Sequence, residues 1–208
     1  MADLLFNAFI TLLVVIDPVG VAASFVPLTR GMAEPERRRT ARRGVLIAGG
    51  ILLAFALGGN QFLGALGIGL SAFRIAGGIL LFFLAIEMIL VRQADTRTTP
   101  REQAEAEAKE DISVFPLAIP LIAGPGTITS VVLLMGHGWT RPAFSLGVIG
   151  VGAVALAITY LCLIGAARLT RLLGVTGANV VGRVLGILLA ALAVQFVLDG
   201  LQGAGVMP

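Results

Sequence analysis

The sequence has little charge and few polar residues for its length. Only 13% of its 208 residues are Asp, Glu, Lys or Arg, whereas 57% are hydrophobic and the mean hydropathy is +0.97. A soluble domain of this size needs far more polar surface than these residues supply. The shortage of charge therefore excludes an ordinary soluble domain and indicates that the lipid bilayer is the solvent.

The chain also has a single cysteine and a single histidine, which excludes further classes of protein. Cys162 cannot form a disulfide or a cysteine metal site within one chain, and it lies in an apolar run where it is typical of a small apolar residue. His137 has no other metal ligand nearby, and no phosphate-binding loop, nucleophile motif or zinc motif is present. We expect a protein that is not an enzyme and that needs no metal or cofactor.

Six apolar stretches are each long enough to cross the hydrocarbon core, which takes about 20 helical residues. They are residues 4–28, 45–66, 72–91, 114–135, 143–166 and 180–201. The first stretch lacks a basic segment and a cleavage pattern, so we interpret it as a retained helix and not as a signal peptide. The fold class predicted is all-α, a polytopic membrane protein with six transmembrane helices.

The basic residues predict the orientation of these helices. Twelve Lys and Arg residues fall in the loops after the first, third and fifth stretches, whereas the termini and the other loops hold Arg141 alone. Because cytoplasmic loops carry the excess of Lys and Arg, the three basic loops are predicted to be cytoplasmic and both termini to face outward, periplasmic or extracellular. The net charge of +3 is not arranged as a stripe with aromatic residues between, so nucleic acid is not expected as a partner.

The chain divides into two related halves. A shift of 108 residues makes seven of the 14 positions in 77–90 identical to 185–198, and a shift of 107 aligns Pro18 with Pro125. We predict a first three-helix repeat over 1–92, a cytoplasmic linker over 93–113 and a second repeat over 114–208. Three spans per half is an odd number, so the second copy must be inverted, as in many secondary transporters.

The first and fourth stretches carry matching Pro and Gly residues in their middle, Asp17-Pro18-Val19-Gly20 and Gly124-Pro125-Gly126-Thr127. Proline removes a backbone donor and glycine permits positive φ, so both helices are predicted to break there. Freed backbone groups cannot face lipid and require protein or a wet cavity. A simple proline kink without a cavity is the alternative.

These breaks predict the positions of a binding site. The substrate-binding candidates are Asp17, Pro18, Gly20, Gly124, Pro125, Gly126, Thr127 and Ser130, and the candidates for ion coupling are Asp17 and Glu87. A carboxylate at membrane depth costs at least about 2.5–3.5 kcal/mol, so Asp17 should have a partner, either a ligand or the N–H groups of its own helix. Glu87 matches Gln195 of the second half, and a solvated place near the interface is its alternative role.

Four segments together resemble one known family. They are Ile16-Asp17-Pro18-Val19-Gly20, Phe73-Arg74-Ile75-Ala76-Gly77-Gly78, Pro116 to Pro120 followed by Ala123-Gly124-Pro125-Gly126-Thr127-Ile128, and Val194-Gln195-Phe196. The chain resembles the MarC family of bacterial inner-membrane proteins over about residues 4–202. The resemblance implies six helices, a relation to the LysE-type exporters, and transport of small neutral amino acids such as glycine and alanine.

We therefore expect a secondary transporter or exporter of small neutral amino acids or similar metabolites that works by alternating access. Its expected partners are a small-molecule substrate, a coupling proton or sodium ion, and the lipid bilayer. The alternative function is a membrane scaffold or regulatory protein that transports nothing, in which the Pro and Gly residues serve packing alone.

Overall fold

The computed structural model of the protein describes residues 2–90, 111–136 and 142–206, and these ranges are helical apart from short connections. The helices are α1 (Ala2–Ile16), α2 (Pro18–Leu28), α3 (Glu34–Ala65), α4 (Leu70–Leu90), α5 (Ser113–Ile122), α6 (Pro125–Gly136), α7 (Pro142–Ile164) and α8 (Ala166–Gly203). Most of the predicted linker lies outside the described residues, as do His137, Trp139 and Arg141.

Five candidate membrane spans occur among the described residues. They are Ala2–Leu28, which joins α1 and α2, Glu34–Ala65, Leu70–Leu90, Ala143–Ile164 and Asn179–Gly203. The consecutive pair α5 and α6 makes a sixth span if it is taken as one unit bent by 57°. The chain is an all-helical, multi-pass integral membrane protein with five to six spans.

The chain leaves the helical conformation at both predicted breaks. Asp17, between α1 and α2, has the left-handed backbone angles φ 52° and ψ 68°. Ala123 and Gly124 separate α5 from α6. Each new helix then starts with a proline, which suits the first helical position because no backbone donor is needed there.

The irregular backbone of the fourth predicted helix is more extensive than expected. Phe115 and Ile119 of α5 are extended, with φ near −131° and −125° respectively, and each precedes a proline. Proline disfavours the α conformation of the residue before it, so Pro116 and Pro120 prevent a regular helix over the first half of this span. The irregular backbone thus begins at Phe115, before the break that was predicted at residues 124–127.

Two basic segments that were predicted to be loops are helical. The helix α3 begins at Glu34, so its first turns carry the arginines from Arg37 to Arg43. A proline at position 35 and acidic residues in the first turn favour a helix start, and Glu34 pairs with Arg37 and Arg38. The prediction of a loop over these residues was wrong because the helix continues past the apolar stretch.

The second such segment begins α8, which includes Arg168 and Arg171 in its first turns. Within this helix Gly174 has φ 62° and ψ 177°, a conformation that L side chains rarely adopt. The glycine separates the basic first turns from the apolar span that starts at Asn179. The loop predicted between the fifth and sixth spans is thus a short helix followed by a bend.

The helices α4 and α8 are antiparallel and pack through a line of small residues, which we call the small-residue seam. It consists of Ser71, Gly78 and Ala85 of α4 and Gly200, Ala193 and Gly186 of α8, spaced seven residues apart on each helix. A Cβ atom on Gly78 would lie 2.7 Å from the carbonyl oxygen of Ala193, and one on Gly186 would lie 3.1 Å from that of Ala85. The two backbones are therefore in direct contact.

The remaining helices form the larger core around α2. Phe25 of α2, Leu12 and Ile16 of α1, Leu117 of α5 and Leu163 of α7 are all buried in it. Leu117 packs directly on the backbone of Gly44 of α3. A Cβ atom at position 44 would lie 2.5 Å from the leucine Cδ2. This core places both breaks inside the protein.

Candidate functional site

The side chain of Asp17 closes the first break. Asp17 is 1% exposed, and its Oδ1 accepts a hydrogen bond of 3.0 Å from the backbone N–H of Gly20. A Cβ atom on Gly20 would lie 2.0 Å from the other carboxylate oxygen, so only glycine leaves room for this arrangement. Asp17 thus caps α2 with a buried carboxylate, as its alternative role in the sequence analysis proposed.

The second break has no such cap. Gly124 holds the position that corresponds to Asp17 at the shift of 107, and it has no side chain to offer. The backbone N–H of Ile128 bonds to the carbonyl of Gly124 at 3.0 Å. Within the described ranges, the N–H groups of Gly126 and Thr127 have no hydrogen-bond acceptor. The first turn of α6 therefore leaves two backbone donors available.

A cavity of about 340 Å³ lies beside this first turn. Its walls come from α4, the end of α5, the start of α6 and one residue of α1. The lining residues are Val15, Leu80, Phe83, Leu84, Glu87, Pro120, Leu121, Gly124, Pro125, Gly126 and Thr127. Apart from Glu87 and Thr127, the lining side chains are apolar, so the polar features of the cavity are those two side chains and the backbone of the break.

Thr127 and Glu87 are the polar side chains of this cavity. Thr127 is 3% exposed, and its hydroxyl forms no hydrogen bond with any residue in the described part of the chain. This contrasts with Thr29 and Thr159, whose hydroxyls bond the carbonyl four residues earlier at 2.8 and 2.9 Å. Glu87 is half-buried on the facing wall formed by α4.

Ser130 lies on α6 one turn beyond Gly126 and is fully buried. Its Oγ has no hydrogen-bond partner in the residues that the structure describes, although Ser130 does not line the cavity. Thr129 faces another way, towards Gly77 of α4, where a Cβ atom would lie 1.9 Å from the threonine Cγ2. Glycine at position 77 therefore lets α4 approach the helix that carries the site.

The structure brings together some of the predicted site residues and separates others. Gly124, Pro125, Gly126, Thr127 and Glu87 line the same cavity. The residues of the first break, Asp17, Pro18 and Gly20, do not line it, and neither does Ser130. Sequence reasoning missed the apolar walls from α4, because an apolar residue that faces a cavity has the same sequence signal as one that faces lipid.

Two further cavities are almost entirely apolar. One of about 220 Å³ lies between α1, α3, α6 and α7, and one of about 240 Å³ lies between α3, α4 and α6. No group of three or more His, Cys, Asp or Glu side chains is found together in the described ranges. Of these three cavities, the one lined by Glu87 and Thr127 is where backbone donors, a hydroxyl and a carboxylate meet.

Comparison with known proteins identifies relatives over nearly the whole length. The sequence model described as "MarC family integral membrane protein" matches residues 2–205. A UPF0056 membrane protein of Methanocaldococcus jannaschii is 36% identical over 197 residues, which covers 95% of each chain. The UPF0056 membrane protein YvbG of Bacillus subtilis is 35% identical and covers 98% of this chain and 96% of its own. YhcE of Escherichia coli, also named a UPF0056 membrane protein, is 35% identical over 95% of this chain and 92% of its own. No solved structure matches the chain significantly.

Proposed function

The chain belongs to the MarC family of integral membrane proteins, and from this premise we propose that it is a secondary transporter of small neutral amino acids or similar metabolites. The observation that carries the proposal is the second break, where two unbonded backbone donors, the hydroxyl of the buried residue Thr127 and the carboxylate of Glu87 share a cavity of about 340 Å³. Interrupted helices with such a cavity are the usual site of substrate binding in secondary transporters.

The transporter would consist of two inverted three-helix repeats in six spans. The small-residue seam supports this arrangement. The shift of 108 aligns Gly78 with Gly186 and Ala85 with Ala193. The contact of Gly78 with Ala193 is thereby exchanged with the contact of Ala85 with Gly186, as a two-fold axis between the halves requires.

Alternating access would take place around the two breaks, with a proton or sodium ion as the coupling ion. The location proposed is a bacterial inner membrane, with both termini periplasmic and the basic first turns of α3 and α8 cytoplasmic. This assignment agrees with the exposed arginines of α3, among them Arg38 and Arg43, since such groups lie in water or among lipid headgroups. The chain is proposed to act without enzymatic chemistry.

The proposal is tested by uptake into proteoliposomes. Purified protein is reconstituted, and the entry of radiolabelled glycine, alanine and serine is measured under imposed proton and sodium gradients in both directions. We expect saturable uptake of at least one solute, driven by one of the gradients and absent from protein-free liposomes. No flux of any solute in any gradient would contradict the transporter and favour the scaffold alternative.

A further inference from the structure

We propose that the starts of α3 and α8 together bind the phosphate group of an anionic phospholipid, whose acyl chains lie along exposed leucines of the same two helices. The site lies at the end of the bundle where these helices begin. It is separate from the cavity lined by Glu87 and Thr127, and it does not depend on whether the protein transports a solute.

The fold brings the first turns of α3 and α8 together. The two helices begin at Glu34 and Ala166, which are far apart in the sequence. Ala41 of α3 and Ala166 of α8 are nevertheless buried in the same core, and Leu169 of α8 packs against that core. The carboxylate of Glu34 also lies within electrostatic range of Arg168. The polar sides of the two helix starts are therefore neighbours.

The surface formed by these two helix starts, which we call the arginine surface, carries more positive charge than its carboxylates balance. Its arginines are Arg37, Arg38, Arg39, Arg42 and Arg43 of α3 and Arg168 and Arg171 of α8. The carboxylates nearby in the described ranges are Glu34, Glu36 and Asp111. Glu34 accepts from both Arg37 and Arg38, and Asp111 pairs with Arg43. The four remaining arginines form no ion pair within the part of the chain that the structure describes.

Those four arginines form two close pairs of like charge. Arg39 and Arg42 are three residues apart on α3, and Arg168 and Arg171 have the same spacing on α8. Residues at this spacing are neighbours on a helix surface, so their charges repel. All four side chains are exposed and accessible to a ligand. A phosphate group between them would remove the repulsion, because the guanidinium group binds phosphate through two parallel hydrogen bonds.

Exposed leucines next to these arginines indicate that the phosphate belongs to a lipid. Leu46 lies one helical turn after Arg42 and is 67% exposed, and Leu172 lies one turn after Arg168 and is 84% exposed. The apolar run of α3 begins at Val45, so the arginines lie where headgroups meet hydrocarbon. Arginine clusters at this depth attract anionic headgroups. A phosphate with acyl chains covers both the charges and the leucines, whereas a soluble phosphate would leave the leucines uncovered.

The chemical class is tested by native mass spectrometry of the purified full-length protein in detergent. Phosphatidylglycerol, phosphatidylcholine with the same acyl chains, and glycerol phosphate are titrated separately. We expect phosphatidylglycerol to bind at least about tenfold more tightly than either of the others, because it combines a net negative charge with acyl chains. Equal affinity for the two lipids would overturn the inference, and so would equally tight binding of glycerol phosphate, which would indicate a site for soluble phosphate.

The position is tested by matched variants. Arg42→Gln and Arg168→Gln each remove one arginine from a pair, and each should weaken phosphatidylglycerol binding about fivefold. The two changes together should weaken it at least about tenfold. The control is Arg74→Gln of α4, the same charge change near the opposite end of α3, which should alter binding less than about twofold.

Two further measurements separate lipid binding from folding. Arg42→Lys and Arg168→Lys keep the positive charge, and they should retain binding within about threefold of the original protein. Unfolding in mixed micelles should be the same for the glutamine and lysine variants. Phosphatidylglycerol binding that is unchanged when both arginines are replaced by glutamine would contradict the site, whatever the proteoliposome assay shows about transport.

Discussion

Asp17 and Gly124 hold corresponding positions at the two breaks. The residue type at this position determines whether the following helix is capped or open to a cavity. The carboxylate of Asp17 occupies the start of α2, whereas the absence of a side chain at Gly124 leaves the start of α6 accessible from the cavity. A difference of one residue type thus converts a structural cap into a candidate binding site. The buried residues Thr127 and Ser130 lie just beyond the accessible end.

The cap predicts a graded effect of substitution at Asp17. Asp17→Ala should lower the free energy of unfolding by about 1–3 kcal/mol, because it removes the acceptor for the Gly20 N–H and leaves a residue with a Cβ at positive φ. Asp17→Asn should cost less, since asparagine tolerates this conformation and retains an acceptor oxygen. Unfolding in mixed micelles measures both, with Asp3→Ala as the control. Equal losses for Asn and Ala would show that the charge, and not the cap, is the stabilising feature.

The residue types near each break and helix start predict the observed backbone in some places and not in others. The Pro and Gly residues allowed both breaks to be predicted from the sequence, and the observed interruptions at Asp17 and at Ala123–Gly124 agree with them. The extended residues Phe115 and Ile119 were missed, although the prolines that follow them are a local signal. The helical first turns of α3 were missed because a dense run of arginines was interpreted as a loop, while Glu34 and Pro35 favour a helix start.

The candidate site was predictable only in part for a related reason. The break residues 124–127 were predicted from their types, whereas the position of Glu87 on the same cavity depends on how α4 packs against α6. That packing uses the contact of Gly77 with Thr129, which is 52 residues away in the sequence and has no local signal. The two breaks differ in sequence, with Asp17 against Gly124, but the sequence left open whether Asp17 caps α2 or contacts a ligand, and this depends on the rotamer of Asp17.

The small-residue seam predicts that added volume between α4 and α8 is costly. Gly78→Ala should lower the free energy of unfolding by about 1–3 kcal/mol, because its Cβ atom would lie 2.7 Å from a backbone oxygen of the other helix. Gly50→Ala of α3 is the matched control, since a Cβ atom there has no neighbour within 4 Å. It should be neutral or stabilising by up to about 1 kcal/mol. The same unfolding measurement tests both, and equal effects would contradict the close contact.

The ion pair between Arg43 of α3 and Asp111, just before α5, predicts a pH dependence. The atoms Nη1 and Oδ2 are 2.5 Å apart, and Asp111 also accepts from the hydroxyl and the N–H of Ser113. The Ser113 hydroxyl first, and then its N–H and the positive charge of Arg43, hold the pKa of Asp111 below its ordinary value. Because the pKa of Asp111 is lowered in the folded state, its ionised form stabilises the fold at pH values above the unfolded-state pKa of about 3.9. This contribution is lost as the pH falls through the lowered pKa.

Asp111→Asn should therefore cost up to about 1 kcal/mol at pH 7, a small value because both side chains are partly exposed. The difference in the free energy of unfolding between the variant and the original protein should decrease as the pH falls from about 4 through the lowered pKa. Denaturant unfolding at a series of pH values measures this difference. A difference that does not change over that range would show that the hydrogen bonds of the amide replace those of the carboxylate.

The whole molecule combines two kinds of packing between its helices. The seam joins α4 and α8 through backbone contacts, while a larger core of branched and aromatic side chains surrounds α2. The second break lies between the α4–α8 pair and the larger core. Its cavity takes one wall from α4 and the others from α5, α6 and α1. A site at the junction of two differently packed bodies is suited to motion of one against the other.

The proposed orientation predicts which positions can be labelled from outside the cell. In a background with Cys162→Ser, Arg39→Cys of α3 should be protected from a membrane-impermeant maleimide in intact cells and labelled after permeabilisation. Ala204→Cys, at the end of α8, should be labelled in intact cells because the C-terminus is proposed to be periplasmic. Both original residues are exposed, so the label is not blocked by the fold. The reverse labelling pattern would show that the topology is opposite to the one proposed.

The seam has one more consequence, which concerns the direction of opening. Since the seam consists of Gly, Ala and Ser, separating α4 from α8 would lose van der Waals contact between the two backbones that no long side chain could restore. We therefore expect α4 and α8 to move as one unit, so that any opening of the cavity lined by Glu87 and Thr127 would take place between α4 and its other walls, α1, α5 and α6.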